Sequence, residues 1–138
     1  PEKAITYSDR AALNSKHRIL IIDHVGSLKY LYRYADLALI GGGFNRIGIH
    51  NIIEPAAHGL ITLFGPNHRN YTEAIDLLKH KAAFVYRNKD ELATIIQQQR
   101  QVPCSSEKRH SIRKYVLENV PDCADMTKEI LLKITQSY

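Results

Sequence analysis

An α/β fold with a parallel sheet flanked by helices is predicted by two features of the sequence. Short apolar runs recur along the chain, and helical patterns separate them. The runs are continuous rather than alternating, as expected of strands covered on both faces. Strand–helix alternation implies βαβ units and hence a parallel sheet. At 138 residues the chain fits one domain, 1–138, with a sheet core over 1–103 and C-terminal helices over 104–138.

Each element has its own signal. The clear strands are Ile19–Ile22, Leu37–Ile40, Ile61–Phe64 and Ala83–Tyr86, and a weaker one, Ala4–Tyr7, precedes them. Ser8 can cap a short helix through Leu13, and Leu28, Leu31 and Tyr32 share a helical face. Asn70 with Glu73, and Asn88 with Glu91, have capping-box spacing ahead of apolar helical positions. Beyond Pro103, Ser105 or Ser106 opens a helix carrying Ile112, Val116 and Leu117. Pro121 breaks it, and Met126, Ile130, Leu131 and Ile134 line a last helix.

Composition excludes several classes. Hydrophobic residues make up 44% and charged residues 24%, which is ordinary globular usage and argues against disorder. No apolar run approaches the ~18 residues of a membrane-spanning helix. The start at Pro1 without Met suggests a piece of a longer protein. The net charge of +5 favours anionic partners. Basic residues are not interleaved with aromatics as a nucleic-acid groove requires, so no nucleic acid is expected. Cys104 and Cys123 form no metal spacing and read as reduced thiols. The seven histidines include no HExxH, so no metal site is expected. The basic run Lys108, Arg109, Arg113 and Lys114 reads as the solvated face of a packed helix, ahead of a lipid or domain contact.

The chemistry is concentrated between Asp23 and Pro66, where strands end and helices begin. Ligands of open α/β sheets bind at the carboxyl ends of strands. Gly41, Gly42 and Gly43 follow a strand directly. Backbone amides there, with a following helix N-terminus, would make a phosphate site without a metal. A plain structural turn explains the triplet equally well. It is neither a dinucleotide fingerprint nor a Walker loop, since Arg46 stands where a third spaced glycine would fall and no GK[ST] follows. Asn51 and Glu54 fit a capping box, which spacing alone favours. Alternatively, the Glu54 carboxylate accepts from a ribose diol. His50 reads first as a structural hydrogen-bonder. Arg46 is an anion contact or simply solvated, and His24, His68 and Arg69 pose the same choice.

In combination these residues resemble a known family. GGGF at 41–44, IGIHNIIEPAAHG at 47–59 and FGPNHRNYTEA at 64–74 are similar to the nucleotide-binding half of bacterial 3-deoxy-D-manno-octulosonic acid (Kdo) transferases. The upstream IIDHVGSLKYLYRYADLALIGGGF matches the family's strand and its Asp-x-x-Gly-x-Leu turn. The resemblance covers roughly residues 4 to 100 with motifs, and the C-terminal helices by order only. It implies a Rossmann-like domain, the C-terminal half of a GT-B glycosyltransferase that moves Kdo from CMP-Kdo to the lipid A precursor of lipopolysaccharide. No cofactor or metal is implied. The partners would be CMP-Kdo, the missing N-terminal domain with its catalytic carboxylate, and the acceptor through that domain. The full-length enzyme would sit on the cytoplasmic face of the inner membrane, and this fragment would be soluble and inactive, with no catalytic residue of its own.

The resemblance also implies a donor site. Gly41, Gly42 and Gly43 would approach the phosphate, Asn51 and Glu54 match the family's Asn and Glu, and Glu54 would hold the ribose. Val25, Gly26, Ser27 and Leu28 would lie by the cytosine through backbone groups. Arg46 and His50 remain candidate anion contacts. Ser27 stands where the family often has Glu, and Gly43 where it often has Ser. Two other readings compete: half of a GT-B enzyme using a UDP-sugar, and a non-enzymatic nucleotide- or phosphate-binding module.

Overall fold

A computed structural model describes residues 3–120. The chain divides into two compact units, 1–31 and 32–138, each taken here by itself. That division falls inside the region read as one helical face.

In the first unit, β1 (Lys3–Thr6) pairs in parallel with β2 (His17–Ile21), with Ile5 opposite Leu20. Ile5 is buried, but Ile19, Leu20 and Ile21 are 45%, 43% and 48% exposed. Within this unit those three residues are left uncovered. The helical pieces of this unit are the 3-10 turn Arg10–Ala12 and α1 (Leu28–Leu31), too short to cover a sheet face. Ser8 does not cap that turn, since Asp9 stands at its N-cap. The Ser8 N–H donates instead to the Asp23 carboxylate, at 3.2 Å.

The second unit opens with a 3-10 turn, Tyr32–Tyr34. Its parallel sheet is β3 (Leu37–Leu39), β4 (Ile61–Phe64) and β5 (Ala83–Val85), in the order β3-β4-β5. All four residues of β4 are buried, as a continuous apolar run in a central strand requires. The edge strands are only partly covered. Between the strands lie α2 (Ile53–Ala57) and α3 (Thr72–Lys79), and after them α4 (Lys89–Gln101) and α5 (Ser106–Asn119). Ala74 and Leu77 of α3, and Ile112 and Val116 of α5, enter the core at helical spacing.

The two predicted capping boxes part company. The Asn88 side chain accepts from the N–H groups of Asp90 and Glu91. Glu91 reaches back to the N–H of Arg87, one residue beyond the ideal partner. Ahead of α3, however, Tyr71 stands at the N-cap, without a side-chain cap, and Asn70 lies outside the helix. Ser105 caps α5 by accepting from Lys108 N–H at 3.2 Å.

The basic residues of α5 are not simply solvated. Lys108 donates to the carbonyl of His80, the C-cap of α3, and Arg113 to that of His58, the C-cap of α2. Helix C-termini carry unpaired carbonyls and partial negative charge, so cations are favoured there. Arg109 donates to the Ala35 carbonyl at 3.2 Å and to Asp36 at 3.0 Å. Lys114 makes only a surface pair with Glu118, at 3.8 Å, a contact of little energetic weight. The last predicted helix, with Met126 to Ile134, and Cys123 lie outside the described residues.

Candidate functional site

The turn after β3 is the first piece of the site. The Ile40 N–H still donates to Leu63, extending the sheet ladder. The chain then folds back on itself. The His50 N–H donates to Gly41 at 3.0 Å, the Gly43 N–H donates to Gly48 at 2.6 Å, and Gly42 bridges Ile49. Gly42 and Gly43 have φ of 81° and 79°. A Cβ on Gly42 would lie 2.4 Å from the Gly48 carbonyl oxygen, and one on Gly43 would lie 2.8 Å from the Gly65 Cα. Backbone crowding thus demands glycine at both positions, as the structural-turn reading held.

The ligand reading changes in two respects. No helix follows the triplet directly, because the loop 44–52 intervenes before α2. The Gly43 amide is also occupied by Gly48, since the loop closes a bridge there, and this removes it as a phosphate donor. The N–H groups of Gly41 and Gly42 remain without a partner among the described residues.

Asn51 and Glu54 do not form the capping box. The Asn51 side chain accepts from the Ile53 N–H at 2.9 Å, and Ile52 occupies the N-cap. Glu54 is therefore the second helical residue and cannot reach back as an N3 residue would. Pro55 takes the third position, where its missing N–H needs no acceptor. Among the described residues the Glu54 carboxylate accepts no hydrogen bond. Burial pushes the Tyr32 hydroxyl pKa up, and the charge of Glu54 pushes it in the same direction. Glu54 is half-buried at the start of α2.

The two candidate anion contacts separate. His50 lies along the glycine turn, and a Cβ on Gly42 would meet its ring at 2.9 Å. Arg46 lines a cleft of about 500 Å³. The loop residues Arg46, Ile47 and Gly48 form one wall, and Pro66, Asn67, Arg69, Asn70 and Tyr71 form the other. Sequence reasoning noted Arg46 and Arg69 singly and missed their sharing one cleft. The pairing depends on Gly43 and Gly65 meeting, which no local pattern announces. His68 packs its ring on Phe64, 5.3 Å between centroids.

Val25, Gly26, Ser27 and Leu28 belong to the first unit and form the turn between β2 and α1. Val25 is fully exposed, and Gly26 has φ of 99°. The Ser27 hydroxyl is hydrogen-bonded to the His24 ring, so it is committed within the turn. The Ser8 side chain first, with its N–H adding less, holds the Asp23 carboxyl below the usual carboxylate range. Among the described residues no group of three or more His, Cys, Asp or Glu is placed to hold a metal. No described helix is long and apolar enough to cross a membrane. Burial raises the Cys104 thiol pKa, against the opposing pull of Arg109 and Lys108.

Comparison with known proteins bears on what this arrangement is. The chain is 35% identical over 88 residues to a 3-deoxy-D-manno-octulosonic acid transferase of Chlamydophila psittaci, covering 63% of this chain and 20% of that protein. It is 34% identical over 82 residues to the transferase of Aquifex aeolicus, covering 59% and 23%. The chain is a relative of the Kdo transferases. It is also 32% identical over 96 residues to a bifunctional glycosyltransferase/methyltransferase of Fusobacterium nucleatum, covering 67% of this chain and 15% of that protein. It thus spans about a fifth of the length of the curated relatives it matches. No family model matches it. Among solved structures, the C-terminal CMP-Kdo binding domain of WaaA from Acinetobacter baumannii superposes with a TM-score of 0.69 at 21% identity. That match covers 84% of this chain and 61% of the other. The likeness is one of fold, parallel sheets flanked by helices.

Proposed function

We propose that this chain is the donor-binding part of a Kdo transferase, a metal-independent GT-B enzyme that moves Kdo from CMP-Kdo to a lipid A precursor. The observation that carries the reading is Glu54. Among the described residues its carboxylate, at the start of α2, accepts no hydrogen bond. Its oxygens are not sealed from water, so the carboxylate is open to the hydroxyls of a ligand. In this reading Glu54 accepts from the ribose hydroxyls, and Asn51 holds the start of α2 in place. The Gly41 and Gly42 amides donate to the phosphate. Cleavage of the sugar–phosphate bond builds charge on the departing CMP, and preoriented amides stabilise that charge.

In the first unit, the Ser27 hydroxyl is already hydrogen-bonded to His24, so the turn Val25 to Leu28 offers a ligand its backbone groups. The acceptor hydroxyl would lose its proton to a carboxylate of an N-terminal domain, acting as general base. That domain would also read the acceptor at the cytoplasmic face of the inner membrane. The present chain alone then binds CMP and transfers nothing.

The test is a titration of the isotope-labelled 138-residue chain with CMP, with UMP and AMP alongside. CMP is expected to shift the Gly41 and Gly42 amides while Gly43, bonded to Gly48, moves less. Glu54→Gln should weaken CMP by about tenfold, the size of a charge-assisted hydrogen bond to the diol. Equal shifts with UMP would favour a UDP-sugar enzyme. Absence of shifts at millimolar CMP would defeat the nucleotide reading for this chain. Measurable Kdo transfer by the chain alone would defeat the assignment of the base to another domain.

A further inference from the structure

The cleft walled by Arg46 and Arg69 has no role in the nucleotide reading, and its chemistry is distinctive. Neither guanidinium has an ion pair or a hydrogen bond among the described residues, although both line one cleft of about 500 Å³. Two exposed cations lining one cleft, with no counter-charge on either among the described residues, leave it electropositive, which favours a bound anion. Arginine's planar fork suits a carboxylate or phosphate in particular.

The cleft is also held open by bonds independent of the arginines. The Asn67 N–H donates to the Gly43 carbonyl at 2.9 Å, and its side chain donates to the Asn45 carbonyl at 2.9 Å. The Tyr71 hydroxyl donates to the Ile47 carbonyl at 3.0 Å, with its ring against Gly48. The two walls are thus tied together across the crossing of Gly43 and Gly65. Preorganisation of this kind lowers the ordering cost of binding.

We propose that this cleft binds the carboxylate of the donor sugar, an inference that rests on the Kdo-transferase reading. An ulosonic acid bears its carboxylate on the anomeric carbon, the same carbon that carries the phosphate ester. A donor of this class therefore presents two anions side by side. The Gly41 and Gly42 amides are open to one, and the cleft begins in the next stretch of chain, joined to Gly43 through Asn67. Arg46 and Arg69 clamp the carboxylate, and Asn70 is available to the sugar hydroxyls. A sugar nucleotide without a carboxylate would leave both guanidiniums unpaired, and the cleft would select against it.

The experiment titrates the labelled 138-residue chain separately with free Kdo, its methyl ester, inorganic phosphate and CMP, following backbone amides. Kdo is expected to shift the amides of Arg46, Gly48, Arg69 and Asn70, with the ester at least tenfold weaker. The double variant Arg46→Gln, Arg69→Gln should lose the Kdo response by tenfold or more and keep its response to CMP at Gly41 and Gly42. Both side chains are exposed, so the fold should survive, and retained amide dispersion checks this. The conservative Arg46→Lys variant should fall between. Equal binding of acid and ester, an undiminished response in the double variant, or no shift at the cleft would overturn the proposal. Inorganic phosphate as effective as Kdo would also overturn it, in favour of a general oxyanion site. If CMP moves nothing while acid and ester still differ at the cleft, the nucleotide reading falls and the carboxylate site stands.

Discussion

Gly43 meets Gly65 where β3 and β4 end, and the two backbones leave no space for a side chain. Gly43→Ala would add a methyl 2.8 Å from the Gly65 Cα at a φ of 79°. The left-handed conformation costs an alanine about 1–2 kcal/mol, and overpacking adds a comparable amount. Thermal unfolding should show a loss of at least about 2 kcal/mol, and an unchanged midpoint would refute the close approach. At the same scale, the carboxylate of Glu54 and the amides of Gly41 and Gly42 were legible as candidates from residue type and position. Their availability was not, because it depends on which partners the loop 43–50 takes for itself. Gly43 illustrates the point, since its amide looks like its neighbours' in sequence and is closed off in the fold by Gly48.

Helix starts show how one pattern yields two outcomes. Asn70 and Asn88 both precede a glutamate by three residues. Asn88 caps α4 with two hydrogen bonds, while Tyr71 displaces Asn70 from the N-cap of α3. Tyr71 is drawn there by its hydroxyl bond to Ile47 and its packing on Gly48. Asn88→Ala should therefore cost about 1 kcal/mol in urea unfolding, and Asn70→Ala only a few tenths. Equal costs would mean that both residues cap. The same competition explains Glu54, which the intervening Ile52 moves to the second helical position. It also explains the basic face of α5, whose cations found helix C-terminal carbonyls that no sequence pattern identifies.

Across the second unit, α5 is tied to α3 through Tyr115, whose hydroxyl donates to Asp76 at 2.9 Å. Burial first, then the Asp76 bond and charge, push the Tyr115 pKa from 10.0 up to about 12. The folded protein thus holds this proton at alkaline pH where the unfolded chain has lost it. The contribution is intact below pH 10.0 and disappears as pH rises towards about 12. Asp76 has the opposite sign. Its hydrogen bond from Lys79, and then that from Tyr115, lower its pKa from 3.8, so its contribution is present at neutral pH and lost as pH falls below that value. Denaturant midpoints across the alkaline range should fall less steeply in Tyr115→Phe than in the parent chain. Identical alkaline slopes would show that Tyr115 does not couple the two helices through its proton.

The sequence by itself determined the five strands, the parallel α/β class, the capping of α4 and α5, and the family to which the chain is related. These follow from signals carried by neighbouring residues: apolar runs, capping side-chain oxygens on the residue just ahead of a helix, and motifs read in order. Only the tertiary structure decided that β2 has its apolar residues left uncovered within its own unit, that Gly43 is unavailable while Gly41 and Gly42 are not, and that Arg46 and Arg69 share a cleft. The shared cleft depends on a contact between segments distant in sequence, and the closing of Gly43 on how its own loop folds back to Gly48. A hydrogen-bond donor or a cation finds its partner in space, and spacing along the chain does not record that choice.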